Sequence, residues 1–196
     1  MLDAAPQRRR GEALLAAIRA ATLDELGEHG YAALTMEAVA RRAGASKASL
    51  YRRWPSRADL VIDCVRHIAP APADLPDTGE LRGDLVSALT LVARALDGVA
   101  GEAMRGLLAE ALPDVDRLRQ LRATTSGRHA ALMREVVGRA VSRGEAPPEA
   151  LAPLRLEVGV ALLRHRFLFD GGPLPPELVG EIVDDVLLPL YLSREG

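Results

Sequence analysis

Apolar residues recur at intervals of three and four along nearly every long segment, and no stretch alternates Val, Ile or Thr as a strand would. This periodicity restricts the chain to an all-α fold. Over residues 8–29, Leu14, Ile18, Ala21, Thr22 and Leu26 share one stripe, and Gly30 follows, a residue without Cβ that can take the left-handed cap. Two short helices are expected at 36–43 and 47–54, parted by Gly44 and Ala45. A fourth begins after Pro55, with Ser56 as N-cap and Asp59 three residues on in an acidic capping box, and runs to about residue 68.

Pro70, Pro72 and Pro76 then interrupt the pattern, because each lacks an amide donor and clashes with the preceding helical turn. The expected division is therefore 1–68, a linker at 69–79, and a second domain at 80–196. Beyond the prolines, Leu81, Leu85, Leu89, Val92 and Leu96 form a stripe, and Met104, Leu107, Leu108 and Ala111 another, ending near Pro113. Three more helices are expected at 118–143, 151–169 and 177–190.

A chain of 196 residues, 48% hydrophobic, is long enough to bury a sizeable core. Its net charge of −2 conceals an asymmetry: residues 1–66 carry 11 basic and 8 acidic side chains, leaving 14 basic and 19 acidic for the remainder. A single cysteine allows no intrachain disulfide and suits a reducing compartment. The longest apolar run, residues 186–192, includes Pro189 and falls well short of the roughly 20 residues that cross a bilayer. The first ten residues carry arginines with no apolar segment behind them, so no export signal and no membrane partner are expected, and the expected location is cytoplasmic, at the nucleoid.

Residues 35–60, TMEAVARRAGASKASLYRRWPSRADL, carry the chemistry. Thr35 can cap a helix whose first turn holds Glu37, and Val39, Ala40 and Ala43 face inward. Gly44 turns the chain, Ser46 caps the next helix and Leu50 packs back on the first. Lys47, Ala48, Ser49, Tyr51, Arg52 and Arg53 are left for solvent or a ligand. Two short helices, a tight turn and a polar, basic second helix form a helix-turn-helix, a shape that fits the major groove of duplex DNA. Aromatic residues are only 3% of the chain, which argues against stacking platforms for single strands or RNA.

The run from Thr35 through Gly44-Ala45-Ser46-Lys47-Ala48-Ser49-Leu50-Tyr51 to Trp54-Pro55-Ser56-Arg57-Ala58-Asp59-Leu60, preceded by Gly30-Tyr31, closely resembles the N-terminal domain of the tetracycline-repressor (TetR) family of bacterial transcription regulators. The family usually has phenylalanine at Trp54 and lysine at Arg57, and both replacements keep an aromatic plug and a positive charge. The resemblance covers residues 8–66; farther on it extends to helix lengths and the proline-glycine break before the last helix. It implies a three-helix DNA-binding domain, with the fourth helix as connector, joined to a helical ligand-binding and dimerisation domain. It further implies that Thr35, Tyr51 and Arg57 grip phosphates while Ser46, Lys47, Ala48 and Ser49 lie nearest the bases, with Arg52 able to serve either task. This division matches the physics, since hydroxyls, helix-start amides and guanidinium groups fix register while only groups in the groove read sequence. Lys47 is the sole lysine of the chain. Arg8, Arg9 and Arg10 are either a solvated charge run or an arm that touches DNA.

In the second half, Thr125 and His129 fall within the apolar arc of the 118–143 helix. The 151–169 helix is apolar on two sides, one through Leu154, Val158, Leu162 and Phe169, the other through Leu156, Val160, Leu163 and Phe167. The last helix shows one stripe. A homodimer is expected, with Val160, Leu163, Phe167, Val179, Ile182, Val183, Val186 and Leu190 at the interface. An effector pocket is expected from Leu89, Val92, Met104, Leu108, Thr125, His129, Met133 and His165, the histidines being either core residues or ligand contacts. The four histidines lack metal-ligand spacing, so no metal or cofactor is expected, and Cys64 reads as buried packing.

Together with these features, the resemblance implies a regulator, expected to be a repressor whose dimer holds a palindromic DNA operator and lets go when a small apolar or amphipathic molecule enters the second domain, with the fourth helix as lever. A non-specific architectural DNA-binding protein without an effector is the alternative. An enzyme is not expected, because the sequence offers no nucleophile-base pair, glycine-rich phosphate loop or metal cluster.

Overall fold

The computed structural model describes residues 5–171 and 173–193, with the side chains of 5–10 and 124–126 outside that set. The expected arginine arm, Arg8 to Arg10, and the expected pocket residue Thr125 therefore lie outside the described side chains. Every long regular element among the described residues is helical. The chain forms two compact units, Met1–Ile68 with Glu102–Asp114, and Ala69–Gly101 with Val115–Gly196.

In the first unit, α1 (Ala5–Ala33) breaks its helical path at Gly30, whose φ of +74° places it in the left-handed region that glycine enters without strain. Thr35 Oγ1 then accepts from Ala38 N at 3.1 Å and starts α2 (Met36–Arg42). Gly44, at φ +62°, turns the chain while Ala45 N donates to Ala40 O at 2.9 Å. Ser46 Oγ accepts from Ser49 N at 3.2 Å to open α3 (Lys47–Arg53). At the head of α4 (Arg57–Ile68), Ser56 N donates to Asp59 Oδ2 at 3.1 Å and Asp59 N to Ser56 Oγ at 3.2 Å, the reciprocal arrangement expected of a capping box.

Ile18, Leu26, Leu34, Val39, Leu50, Leu60 and Val61 are buried together with Cys64 in this unit. Burial, with the Asp63 charge adding to it, pushes the Cys64 thiol up to about 11, while Thr22 and the Arg19 charge pull the other way. Leu14, expected on the buried stripe, is exposed. Two ion pairs bind the helices across the core edge: Arg19 Nη2 reaches Asp63 Oδ2 of α4 at 3.1 Å, and Arg42 Nε of α2 reaches the buried Glu25 of α1 at 2.8 Å. Helix α6 (Val99–Ala111) contributes its residues from Glu102 onward to this unit, whereas the periodicity grouped all of 80–196 together. Gly106 is the reason for the close fit, since a Cβ there would lie 2.2 Å from Cγ of the Tyr31 ring.

The second unit packs α5 (Leu81–Asp97), α7 (Val115–Ser142), α8 (Pro153–Phe169) and a composite last helix around a core of Leu85, Leu89, Leu132, Met133, Val136, Leu156, Leu163, Phe167 and Val183. The expected stripe of α5 is buried along its whole length. The proline-rich segment expected as a linker is instead held on α7. Arg139 Nη1 donates to Pro76 O at 3.0 Å and Arg128 Nε to Pro70 O at 3.3 Å, using carbonyls that a non-helical proline segment leaves available. The last helix runs as α9 (Pro176–Glu181), a π-helical turn (Ile182–Leu187) and α10 (Leu188–Leu192), where periodicity suggested one uninterrupted helix. Pro189 has no amide to donate to the carbonyl four residues back, and the wider turn lies just before it.

Asp84 anchors this unit. Its side chain is fully buried, accepting from Thr78 N at 2.8 Å, Thr78 Oγ1 at 2.8 Å and Arg143 Nη2 at 3.0 Å. Burial pushes its carboxyl up, but these hydrogen bonds and the Arg143 charge outweigh burial and hold it below the usual carboxylate range. A folded value below the unfolded one, near ~3.9, adds stability that is present above the unfolded value and lost as pH falls through the folded one. Urea unfolding followed by circular dichroism should therefore show an acid-side loss below about pH 4 that Asp84→Asn diminishes. At pH 7 the same variant should lose about 1–3 kcal/mol, and acid limbs of equal steepness would count against this role.

Candidate nucleic-acid interface

Helix α3 has one side chain that is fully buried, Leu50. Anchoring by Leu50 turns Lys47, Ala48, Tyr51, Arg52 and Arg53 outward, while Ser49 is half-buried. Tyr51 retains 47% exposure, so it is a surface residue and not a core tyrosine. Trp54, at the helix end, is buried as an aromatic plug, and the Arg53 guanidinium lies 5.5 Å above its ring. The exposed face thus combines hydroxyls, a phenol, an ammonium and two guanidinium groups over one helical surface.

Thr35 and Ser46 use their side-chain oxygens as helix caps and remain exposed at the starts of α2 and α3. Ser46 Oγ also lies 2.9 Å from Ser49 Oγ. Lys47 Nζ is 2.5 Å from Glu37 Oε1, a hydrogen bond that holds the Glu37 carboxyl below its usual range. This exposed pair crosses from the recognition helix to α2 and sets Lys47 over the turn. Glu37 was legible as an acidic group favouring the start of α2, but its partner ten residues on was not.

Arg57 departs from expectation. Its guanidinium does not project freely beside Tyr51; it donates from Nε and Nη2 to Glu110 Oε2 at 3.2 and 2.9 Å, and from Nη1 to the carbonyls of Ala32 and Leu34 at 3.4 Å each. It also stacks 4.7 Å from the centre of the Tyr31 ring. Tyr31 Oη donates to the same Glu110 oxygen at 2.9 Å, and burial, reinforced by that carboxylate, pushes the phenol up to about 12. Arg57 therefore fastens α4 to α6 and the Gly30 turn within the first unit, and its engagement opposes the expected phosphate grip. The partner that diverts it, Glu110, lies 53 residues away in sequence and carries no local signal.

In the second unit, a cavity of about 340 Å³ opens between α7 and α8. Arg122 and His129 of α7 with Glu157 and Arg164 of α8 form its polar wall; Leu156, Val160 and two alanines form the apolar one. Of the expected pocket residues, His129 lines it. Leu89, Val92 and Met133 are sealed in the core, and Met104 and Leu108 belong to the first unit. His165 is exposed, its ring 5.0 Å from that of Phe169.

The expected dimer surface is also corrected. Val160, Leu163, Phe167, Val179, Ile182 and Val183 are buried by their own chain; among the expected set, Val186 is exposed and Leu190 half-buried. On α8 the other apolar side is the one left open, with Leu154 77% and Phe169 76% exposed and Val158 and Leu162 half-buried between them. Periodicity revealed both sides of α8, but not which of them the chain itself covers. Among the described residues no cluster of His, Cys, Asp or Glu could hold a metal ion, and no helix is long and apolar enough to cross a membrane.

A capped seven-residue helix presented by a tight turn, with a separate helical unit, defines a helix-turn-helix regulator. Residues 18–64 match the family of bacterial regulatory proteins, tetR family, and residues 75–186 the tetracyclin repressor-like C-terminal domain. An uncharacterized HTH-type transcriptional regulator of Mycobacterium tuberculosis is 36% identical over 186 residues, covering 90% of this chain and 87% of its own. The DNA-binding transcriptional repressor TetR of Mycobacteroides abscessus is 34% identical over 188 residues, covering 95% of this chain and 97% of its own. The solved TetR family transcription regulator SCO0332 superposes with a TM-score of 0.70 at 28% identity, covering 88% of this chain and 98% of its own. The chain belongs to the TetR family of transcription regulators, and it is a DNA-binding regulator, not an enzyme.

Because Arg52 is exposed and Arg57 is sequestered, the two should respond differently to salt. Arg52→Ala should flatten the slope of log K against log salt by about 0.9 if its guanidinium takes a phosphate, whereas Arg57→Ala should leave it unchanged. Fluorescence anisotropy across a salt series distinguishes them, and a flattened slope for Arg57→Ala would restore it to the phosphate-contacting set.

Proposed function

We propose that this regulator is a repressor that binds a palindromic operator as a homodimer and releases it when a small molecule occupies the second unit. The observation that carries this reading is the outward face of α3, where Lys47, Ala48, Ser49, Tyr51 and Arg52 surround a helix pinned by Leu50. Ser46, Lys47 and Ser49 would face base edges, Ala48 a thymine methyl, and Thr35 and Tyr51 the phosphates, with Arg52 serving either. The abscessus relative's name, a DNA-binding transcriptional repressor, supports repression as the direction of control.

The exposed stripe of α8 through Leu154, Val158, Leu162 and Phe169 supports the dimer, because a second copy could cover it about a two-fold axis and two reading heads would then match a palindrome. The cavity between α7 and α8 is the proposed effector site. Ligand-driven release requires only a coupling of about 1–3 kcal/mol, which changes affinity roughly 5- to 150-fold.

Selection of fragments from a random DNA pool by the purified protein should converge on one inverted repeat whose complex persists against excess unrelated duplex. Loss to any duplex alike would instead favour a non-specific architectural protein. In sedimentation experiments Phe169→Glu should shift the protein toward monomer and weaken operator binding, and an unchanged dimer would place the interface elsewhere.

A further inference from the structure

The polar wall of the α7–α8 cavity is electrically unbalanced. Two guanidinium groups, Arg122 and Arg164, face one carboxylate, Glu157, and Arg122 Nη2 already lies 3.3 Å from Glu157 Oε2. Arg122 is largely exposed at the mouth. Arg164 is deeper and half-buried, and among the described residues no hydrogen bond or ion pair engages its guanidinium. Burial lowers its proton affinity, the Glu157 charge opposes that and the Arg122 charge adds to it. Arginine keeps its charge in proteins regardless, so the cavity holds a partly desolvated cation whose charge Glu157, already in contact with Arg122, offsets only in part.

Beside these groups, Leu156 and Val160 supply apolar lining, and the volume of about 340 Å³ sits at the lower end of the ~300–1,000 Å³ typical of small-molecule sites. A planar guanidinium pairs two-pronged with a carboxylate, fixing orientation as well as charge. We infer that the effector is a compact organic anion, a carboxylic acid with an apolar body of one ring or a short chain, its carboxylate on Arg164 and its body against Leu156 and Val160. This inference rests on the reading of the cavity as the effector site. A neutral amide of the same shape keeps the apolar contact but leaves the guanidinium without its anion, so discrimination by charge is the property to measure.

Calorimetric titration of the full chain with phenylacetate, phenylacetamide and phenethylamine, repeated with the cinnamate and hexanoate series, separates the two levels. The acid should bind at least tenfold more tightly than its amide, and Arg164→Met should abolish the difference. Equal or tighter binding of the amide or amine overturns the anionic class while leaving the cavity as an effector site. Binding by none of the nine compounds overturns both. A ligand-free measurement stands beside these: because the half-buried Arg164 guanidinium is engaged by no hydrogen bond or ion pair among the described residues, Arg164→Met should raise Tm by about 2–4 °C. A lowered Tm would show that the guanidinium supports the fold and would overturn its role as an anion anchor.

Discussion

A helix of seven residues cannot persist in water on its own backbone hydrogen bonds, so α3 exists because Leu50 is buried beneath it. Burial of that side chain contributes about 1.5–3 kcal/mol and fixes the rotation of the helix about its axis. Ser46 supplies the cap that starts it, and Trp54 closes its far end. Once Leu50 is placed, the outward positions of Lys47, Tyr51 and Arg52 follow from helical geometry alone. The rest of the first unit serves that placement: Arg42 joins α2 to Glu25 of α1, and Gly44 brings α3 back against α2.

Features decided by neighbours in sequence were readable in advance. Gly30 and Gly44 announced turns that need positive φ, and Ser46, Ser56 and Asp59 announced caps whose donors lie within three residues. The family resemblance likewise drew on the local run from Thr35 to Leu60. What escaped was decided at a distance. The direction of Arg57 depends on Glu110 in α6, and the covered side of α8 depends on whether Leu187 and Leu89 arrive against Gly159. The cavity escaped for the same reason, since Arg122 and Arg164 belong to different helices and neither lay on an expected apolar stripe.

Helix α8 carries two surfaces with different tasks in the proposed mechanism. Glu157, Ala161 and Arg164 look into the cavity, while Leu154, Val158, Leu162 and Phe169 form the open apolar stripe next to it. Because these sets are interleaved at helical spacing, a rigid rotation of α8 cannot alter one without altering the other. The fully buried Leu156 and Leu163 resist such a rotation, so the helix would move as a packed body and not by local melting.

The wide turn at Ile182–Leu187 also has a consequence for the chain beyond it. Leu188 N donates to Val183 O, five residues back, so the helix absorbs one residue more than its rise requires. Each such residue slips the phase of everything downstream by about 100°. Tyr191 is the side chain whose azimuth depends on that slip: fully enclosed, it donates through Oη to Arg155 O at 3.1 Å. Wound at regular α pitch, the same residues would turn Tyr191 by about 100° out of its socket and leave the foot of α8 without its clasp, whereas excising a single codon between 182 and 187 would remove the surplus residue and keep Tyr191 in phase.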